Sequence, residues 1–155
     1  MKKTIKKLTG KEREWVESQL RAAVEFVDTF SPEDAKRQLS LRVFDRAFAA
    51  WVATGEVDGK KVNKIVNCVG IAIGQFLVDG IGLEWVTVSD EHNSTLAVHG
   101  LPGRGDVLVY PVKMVTERWE ARSEESFEES CYQISRRITK IAGSQVEKKP
   151  WWKVW

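Results

Sequence analysis

"GIGLEWVTVSDEHNSTLAVHG", residues 80–100, is where the chain changes its period. The stretch before it, KKVNKIVNCVGIAIGQFLVD (60–79), sets Val62, Ile65, Val66, Val69, Ala72, Ile73, Phe76 and Leu77 at helical spacings and leaves Asn63, Asn67 and Gln75 as a narrow polar strip. That spacing predicts a deeply buried helix. Past Gly80 and Gly82 the alternation is by two, so that Leu83, Trp85 and Thr87 point to one side of a strand and Glu84, Val86 and Val88 to the other. Strands are expected at 83–88, 95–99 and 107–110, joined by SDEHNS and LPGRGD, in which Asp, Asn and Ser bond their own backbone and glycine supplies positive φ. The fold class is therefore α+β, with a small antiparallel meander over 83–110.

Gly70 and Gly74 make a G-x-x-x-G inside the buried helix. The segment is short and carries polar side chains, so close packing in a core is expected in place of membrane dimerisation. Each glycine costs about 1 kcal/mol of helix propensity relative to alanine, so a large group is expected over the gap.

Working outward, residues 1–8 read as a basic arm and residues 9–79 as three helices. Thr9 and Glu12 have the spacing of a capping box and start a helix that runs to about Thr29. Trp15, Gln19, Ala22, Phe26 and Phe30, with Val16, Leu20, Ala23 and Val27, form its expected buried stripe. Ser31-Pro32-Glu33-Asp34 is read as the opening of a second helix over 32–53, antiparallel to the first, with Leu41, Phe44, Ala47, Phe48, Trp51 and Val52 inward. Tyr110-Pro111 ends the third strand, and residues 111–122 are open between a helical turn and a further strand. A last helix is expected at 123–142, its acids Glu124, Glu125, Glu128 and Glu129 preceding Arg136, Arg137 and Lys140 in the order that suits the helix dipole. The expected architecture is one domain: a helical hairpin and third helix packed with the sheet and closed by the C-terminal helix, followed by a Trp-rich tail over 143–155.

The motifs Val69-Gly70-Ile71-Ala72-Ile73-Gly74, Gly82-Leu83-Glu84-Trp85, Ser89-Asp90-Glu91 and Tyr110-Pro111-Val112 resemble a bacterial family filed as a domain of unknown function. That family has a glycine-containing helix, a G-L-x-W strand, an acidic turn and a strand ending in an aromatic-proline pair. The resemblance covers residues 62–120 and implies an α+β bacterial domain, with no activity to carry over. Where the family has a basic pair after the proline segment, this chain has Glu117-Arg118-Trp119.

Composition narrows the function classes. Twenty-four Lys and Arg against 22 Asp and Glu leave a formal charge of +2, too small for a field that steers polyanions, so no nucleic acid partner is expected. The N-terminus has lysines but no apolar run behind them, which favours a soluble, cytoplasmic protein and makes a membrane partner unexpected. Cys68 and Cys131 have no metal or redox spacing and are expected to be small buried hydrophobes. The acid/base candidates are Glu84, Asp90, Glu91, His92 and His99, which a hydrolase or small-ligand site would need to converge. No third ligand stands at diagnostic spacing from the two histidines, so neither metal nor cofactor is expected. Nucleophile elbows and phosphate loops are missing, and Arg104-Gly105-Asp106 reads as turn chemistry. These readings favour a binding protein over an enzyme. The preferred expectation is a protein partner, as for an immunity or adaptor protein, with a hydrolase or ligand-binding hairpin as the alternative.

Trp151, Trp152 and Trp155 are the candidate partner-binding residues. Burying one large apolar side chain stabilises by roughly 1.5 to 3 kcal/mol, so a tail with three tryptophans should find a surface. Its own domain is the first expectation, a protein partner the second and a membrane interface the third.

Overall fold

A computed structural model of the chain describes residues 3–143. The described residues form five helices and one four-stranded antiparallel sheet, an α+β fold as expected. In chain order these are β1 (Thr4–Lys7), α1 (Gly10–Phe30), α2 (Leu41–Ala53), α3 (Gly59–Ile81), β2 (Glu84–Ser89), β3 (Ser94–Gly100), β4 (Val107–Val109), α4 (Pro111–Ala121) and α5 (Phe127–Ala142). The strands lie in the order β1-β2-β3-β4.

Helix α3 is the spine of the fold, and its glycines explain why. A Cβ on Gly70 would lie 2.6 Å from Val112 Cα, and one on Gly74 would run into the Trp85 ring and lie 2.9 Å from Pro111 Cγ. The large group expected over the gap is thus Trp85 from β2, together with the start of α4. Trp85 Nε1 donates to Gln75 Oε1 at 3.0 Å, which pairs a polar atom of the ring with the polar strip of α3. Asp58 caps the start of α3, accepting from Lys61 N at 3.1 Å, and Gly82 ends it in the left-handed conformation that glycine adopts without strain. Among the described residues α3 is the one helix long and apolar enough to cross a membrane. Here Val69, Ile71, Ile73 and Leu77 are fully buried within the protein.

The sheet faces follow the alternation read from β2. Leu83, Trp85, Val98 and Val109 join the main core with α3, while Leu8, Val16 and Ile71 form a smaller cluster with Trp85 and Leu96. Helix α1 is tied to this inner face by Thr87 Oγ1, which donates to Glu12 Oε2 at 2.8 Å. Glu12 also completes the capping box, Thr9 N donating to Oε1 at 2.8 Å, and these bonds hold its carboxyl below the ordinary value.

Three boundaries differ from the sequence reading, and one segment left open is settled. The basic arm contains an edge strand: β1 pairs with β2 from Thr4↔Ser89 to Lys7↔Val86. Thr-Ile-Lys-Lys holds one apolar residue, so its strand character comes from backbone pairing with a partner some eighty residues away, and its lysines suit an edge. Helix α2 starts at Leu41, not at 32, and is capped by Ser40 accepting from Val43 N at 3.3 Å. Residues 32–37 make turns instead, because Ser31 spends its hydroxyl on Asp34 (2.6 Å) and Asp34 pairs with Arg46 (2.9 Å). The segment has no apolar stripe to bury before Leu41. Residues 111–121, open in the sequence reading between a helical turn and a further strand, are helical, with Pro111 at the first position, where a missing N–H costs nothing. Helix α5 begins at Phe127, so Glu124 and Glu125 precede it, and Ser126 caps it. Trp15, assigned to the buried stripe of α1, is 38% exposed, while Val16, Ala23, Phe26 and Val27 are buried as read.

Gly70→Ala should destabilise the protein by about 1 to 3 kcal/mol in urea titration, because α4 must shift to admit the methyl, despite about 1 kcal/mol of helix propensity gained. Gly59→Ala, with nothing within 4 Å of the added carbon, should be neutral or stabilising. A stabilising Gly70→Ala would refute the close packing. The Arg46 and Ser31 hydrogen bonds hold the Asp34 carboxyl at about 2, against an ordinary 3.8. Asp34 therefore contributes stability that is present above the ordinary carboxyl value and lost as pH falls through about 2. Thermal melts between pH 2 and 5 should show a rise of stability with pH that is shallower in Asp34→Asn.

Candidate functional site

The β2–β3 hairpin separates its five candidate residues into two groups. At the turn, Asp90 Oδ1 accepts from His92 N (2.8 Å) and Asn93 N (2.7 Å), and Asp90 N donates to Asn93 O. These amides hold the Asp90 carboxyl below its ordinary value. Glu91 and His92 are exposed at the tip. At the other end of the strands Glu84 is exposed and stands in register with His99, whose Nε2 lies 3.0 Å from Asp106 Oδ1. Six residues at about 3.4 Å put the two ends about 20 Å apart. Glu84 and His99 are thus brought together; Asp90, Glu91 and His92 are not brought to them. Asp106 has its own structural task, accepting from Gly103 N at 2.8 Å and closing the LPGRGD turn; this bond and His99 hold its carboxyl low. Among the described residues no group of three or more His, Cys, Asp and Glu is placed to hold a metal. Both cysteines are free and buried; burial pushes the Cys68 thiol up to about 11 and the Cys131 thiol up to about 12.

The outer face of the sheet is the more distinctive surface. Val86, Val88 and Ala97 form an apolar cluster separate from the main core, with Leu108 and Tyr110 packed against it. Register places Ile5 opposite Val88 and Lys7 opposite Val86 on the same face. The ammonium of Lys3 lies 5.9 Å from the centre of the Tyr110 ring. Beside them Lys3, Val88, Asp90, Asn93, Thr95, Tyr110 and Lys113 line an open groove of about 250 Å³. Helix α3 packs on the opposite, Trp85-bearing face.

A second polar feature, invisible in the sequence reading, joins α2, α4 and α5. Arg118 Nη1 donates to Asp45 Oδ1 at 2.8 Å, and the guanidinium lies 4.9 Å and 4.1 Å from the ring centres of Phe48 and Phe127. Asp45 also accepts from Phe127 N (2.7 Å) and Glu128 N (3.3 Å), the free amides at the start of α5. A charge at position 45 within the apolar run of α2 was the one signal available for this node. An open pocket of about 240 Å³ lies beside it, lined by Met114, Glu117, Arg118, Ser123, Glu125 and Phe127 among others.

Residues 47–130 match the model of a family described as a domain of unknown function, DUF3806. The chain belongs to that family. The match contains the 62–120 stretch on which the resemblance was read, and it runs from within α2 to the first turn of α5. It includes α3, the β2–β4 meander, Arg118 and Phe127, whereas β1, α1 and Asp45 precede it. No curated protein and no solved structure matches the chain. The candidate residues Trp151, Trp152 and Trp155 lie outside the described residues.

Asp90→Ala should lower the melting temperature more than Glu91→Ala or His92→Ala, and Asp90→Asn, which retains an acceptor oxygen, should restore most of the loss. Equal effects of the three alanine variants in thermal melts would show that Asp90 does not hold the turn.

Proposed function

We propose that this chain is a small soluble bacterial protein-binding domain of the cytoplasm, acting by occupying a macromolecular partner in the manner of an immunity or adaptor protein. The observation that carries the reading is the outer sheet face, where the exposed Ile5 and the partly buried Leu108 and Tyr110 surround a buried apolar cluster of Val86, Val88 and Ala97 that stands apart from the core. Its margin is mixed in charge, with Lys3 and Lys113 beside Asp90 at the groove. An apolar centre containing an aromatic ring, with a polar rim, is the usual anatomy of a protein-binding patch. The tail tryptophans Trp151, Trp152 and Trp155 are the second apolar element offered to a partner. The alternative, a hydrolase or small-ligand site on the hairpin, is supported by the His99–Asp106 hydrogen bond beside Glu84. It lacks proximity, since Asp90, Glu91 and His92 stand at the far turn.

Affinity purification at native abundance tests the reading. The full chain should retain one protein in stoichiometric amount, and Leu108→Lys, with its circular dichroism unchanged, should reduce recovery at least tenfold. A monomeric chain with no stoichiometric partner would remove protein binding from first place.

A further inference from the structure

Arg118 offers more donors than the fold uses. A guanidinium can donate from each of its nitrogens, and among the described residues only Nη1 has an acceptor, Asp45 Oδ1 at 2.8 Å. Arg46 makes the contrast, giving both Nε and Nη2 to Asp34 at 2.9 Å each. The Nε of Arg118 is buried and has no hydrogen-bond partner among the described residues. A buried donor without an acceptor is costly, more so on a charged group, so the bond to Asp45 accounts for only part of what this side chain does. The ring centres of Phe48 and Phe127 lie 4.9 and 4.1 Å from the guanidinium and restrict its movement.

Arg118 also lines the open pocket of about 240 Å³ formed by α4, the loop after it and the start of α5. Met114, Phe127 and Ser130 line it as buried or half-buried residues, whereas Glu117, Ser123 and Glu125 are exposed at its margin. The volume lies below the roughly 300 to 1,000 Å³ of sites for drug-sized ligands, so the occupant is small. Charge limits it further. Asp45, Glu117 and Glu125 set three carboxylates around one guanidinium. Lys113 offsets Glu117 at 3.7 Å, while Glu125 is ion-paired with no described residue. A phosphate or a dicarboxylate would bring further negative charge among these acids. A single carboxylate that carries its own ammonium would not, and the ammonium would find Glu125.

We propose that this pocket binds a free α-amino acid with an apolar side chain, its carboxylate on Arg118, its ammonium toward Glu125 and its side chain against Met114 and Phe127. Charge-assisted hydrogen bonds from the guanidinium recognise the carboxylate, and the acidic margin selects for the ammonium. The site shares no residue with the groove of the outer sheet face and does not depend on the protein-binding reading.

Met1 and Met114 are the two methionines of the chain, so the methyl resonance of Met114 reports on the pocket directly. In the full chain labelled at its methionine methyls, leucine, methionine, valine and phenylalanine are titrated separately to about 10 mM, an order of magnitude above a millimolar Kd. At least one should shift Met114 saturably, with a Kd of about 1 mM or tighter, and leave Met1 unmoved. The analogues of that amino acid lacking the amine or lacking the carboxyl group should each bind roughly tenfold more weakly or worse. Arg118→Lys, with its circular dichroism unchanged, should weaken binding by a similar factor. Ser130→Leu, which occupies the pocket and leaves the Asp45–Arg118 bond alone, should abolish the shift, and it decides the matter where the lysine variant does not fold. Leu108→Lys should leave the titration as it is, which separates this site from the outer face. The inference is overturned by a Met114 resonance that none of the four amino acids moves, by equal affinity for the singly charged analogues, or by binding that survives Ser130→Leu.

Discussion

The close approach to helix α3 is the constraint on which the rest of the structure depends. At Gly70 and Gly74 the helix has no side chain, and the space is taken by the backbone of Val112, the ring of Trp85 and the ring of Pro111. One stripe of the helix thereby positions both the first strand of the meander and the start of α4. The distance between sheet and helix is set by an indole lying almost on helix backbone, and a methyl group is too large for the gap. The two glycines forfeit helix propensity of about 1 kcal/mol each, a loss that burial of Trp85 and the flanking contacts must outweigh. The hydrogen bond from Trp85 to Gln75 keeps the ring nitrogen satisfied in the same place.

Two consequences follow for the surface. Helix α3 packs on the Trp85-bearing face, and the opposite face of the sheet keeps its own small apolar cluster. Helices α2, α4 and α5 are joined by a charge pair and not by shape alone. Asp45 serves three donors at once, Arg118 and two amides at the start of α5, with side-chain exposures of 13% for Arg118 and 18% for Asp45. Removing either partner would leave a largely buried charge uncompensated, which is costlier than the pair is favourable. The guanidinium faces Phe48 and Phe127, so aromatic rings cover it while its Nη1 is hydrogen bonded to Asp45.

The candidate residues of the hairpin illustrate how far sequence proximity misleads. Asp90, Glu91, His92 and His99 lie within ten positions, yet a strand carries His99 away from the turn at about 3.4 Å per residue. The residue that His99 meets, Asp106, entered the sequence reading only as part of a turn. Its double use, for the turn and for the histidine, depends on how the β3–β4 loop folds back, which has no local signature. In the same way the outer face needs β1 at its edge, and β1 has a single apolar residue by which to be noticed.

The sequence by itself determined the elements whose periodicity is strong and local. The long apolar helix, the switch to alternation after Gly82, the two faces of β2, the capping box of Thr9 and Glu12 and the membership in an α+β class were all legible, because each depends on neighbours within a few positions. The turn role of Asp90 was legible for the same reason. Only the tertiary structure decided that the basic arm is a strand, that α2 waits until Leu41, that 111–121 is helical and that Asp45 and Arg118 meet. Each of these rests on a partner distant in the chain: β2 for the arm, Arg46 for Asp34, α3 for α4 and α5 for Asp45. Local pattern carries no information about such partners, since their free energy arises when the backbone brings the two surfaces together.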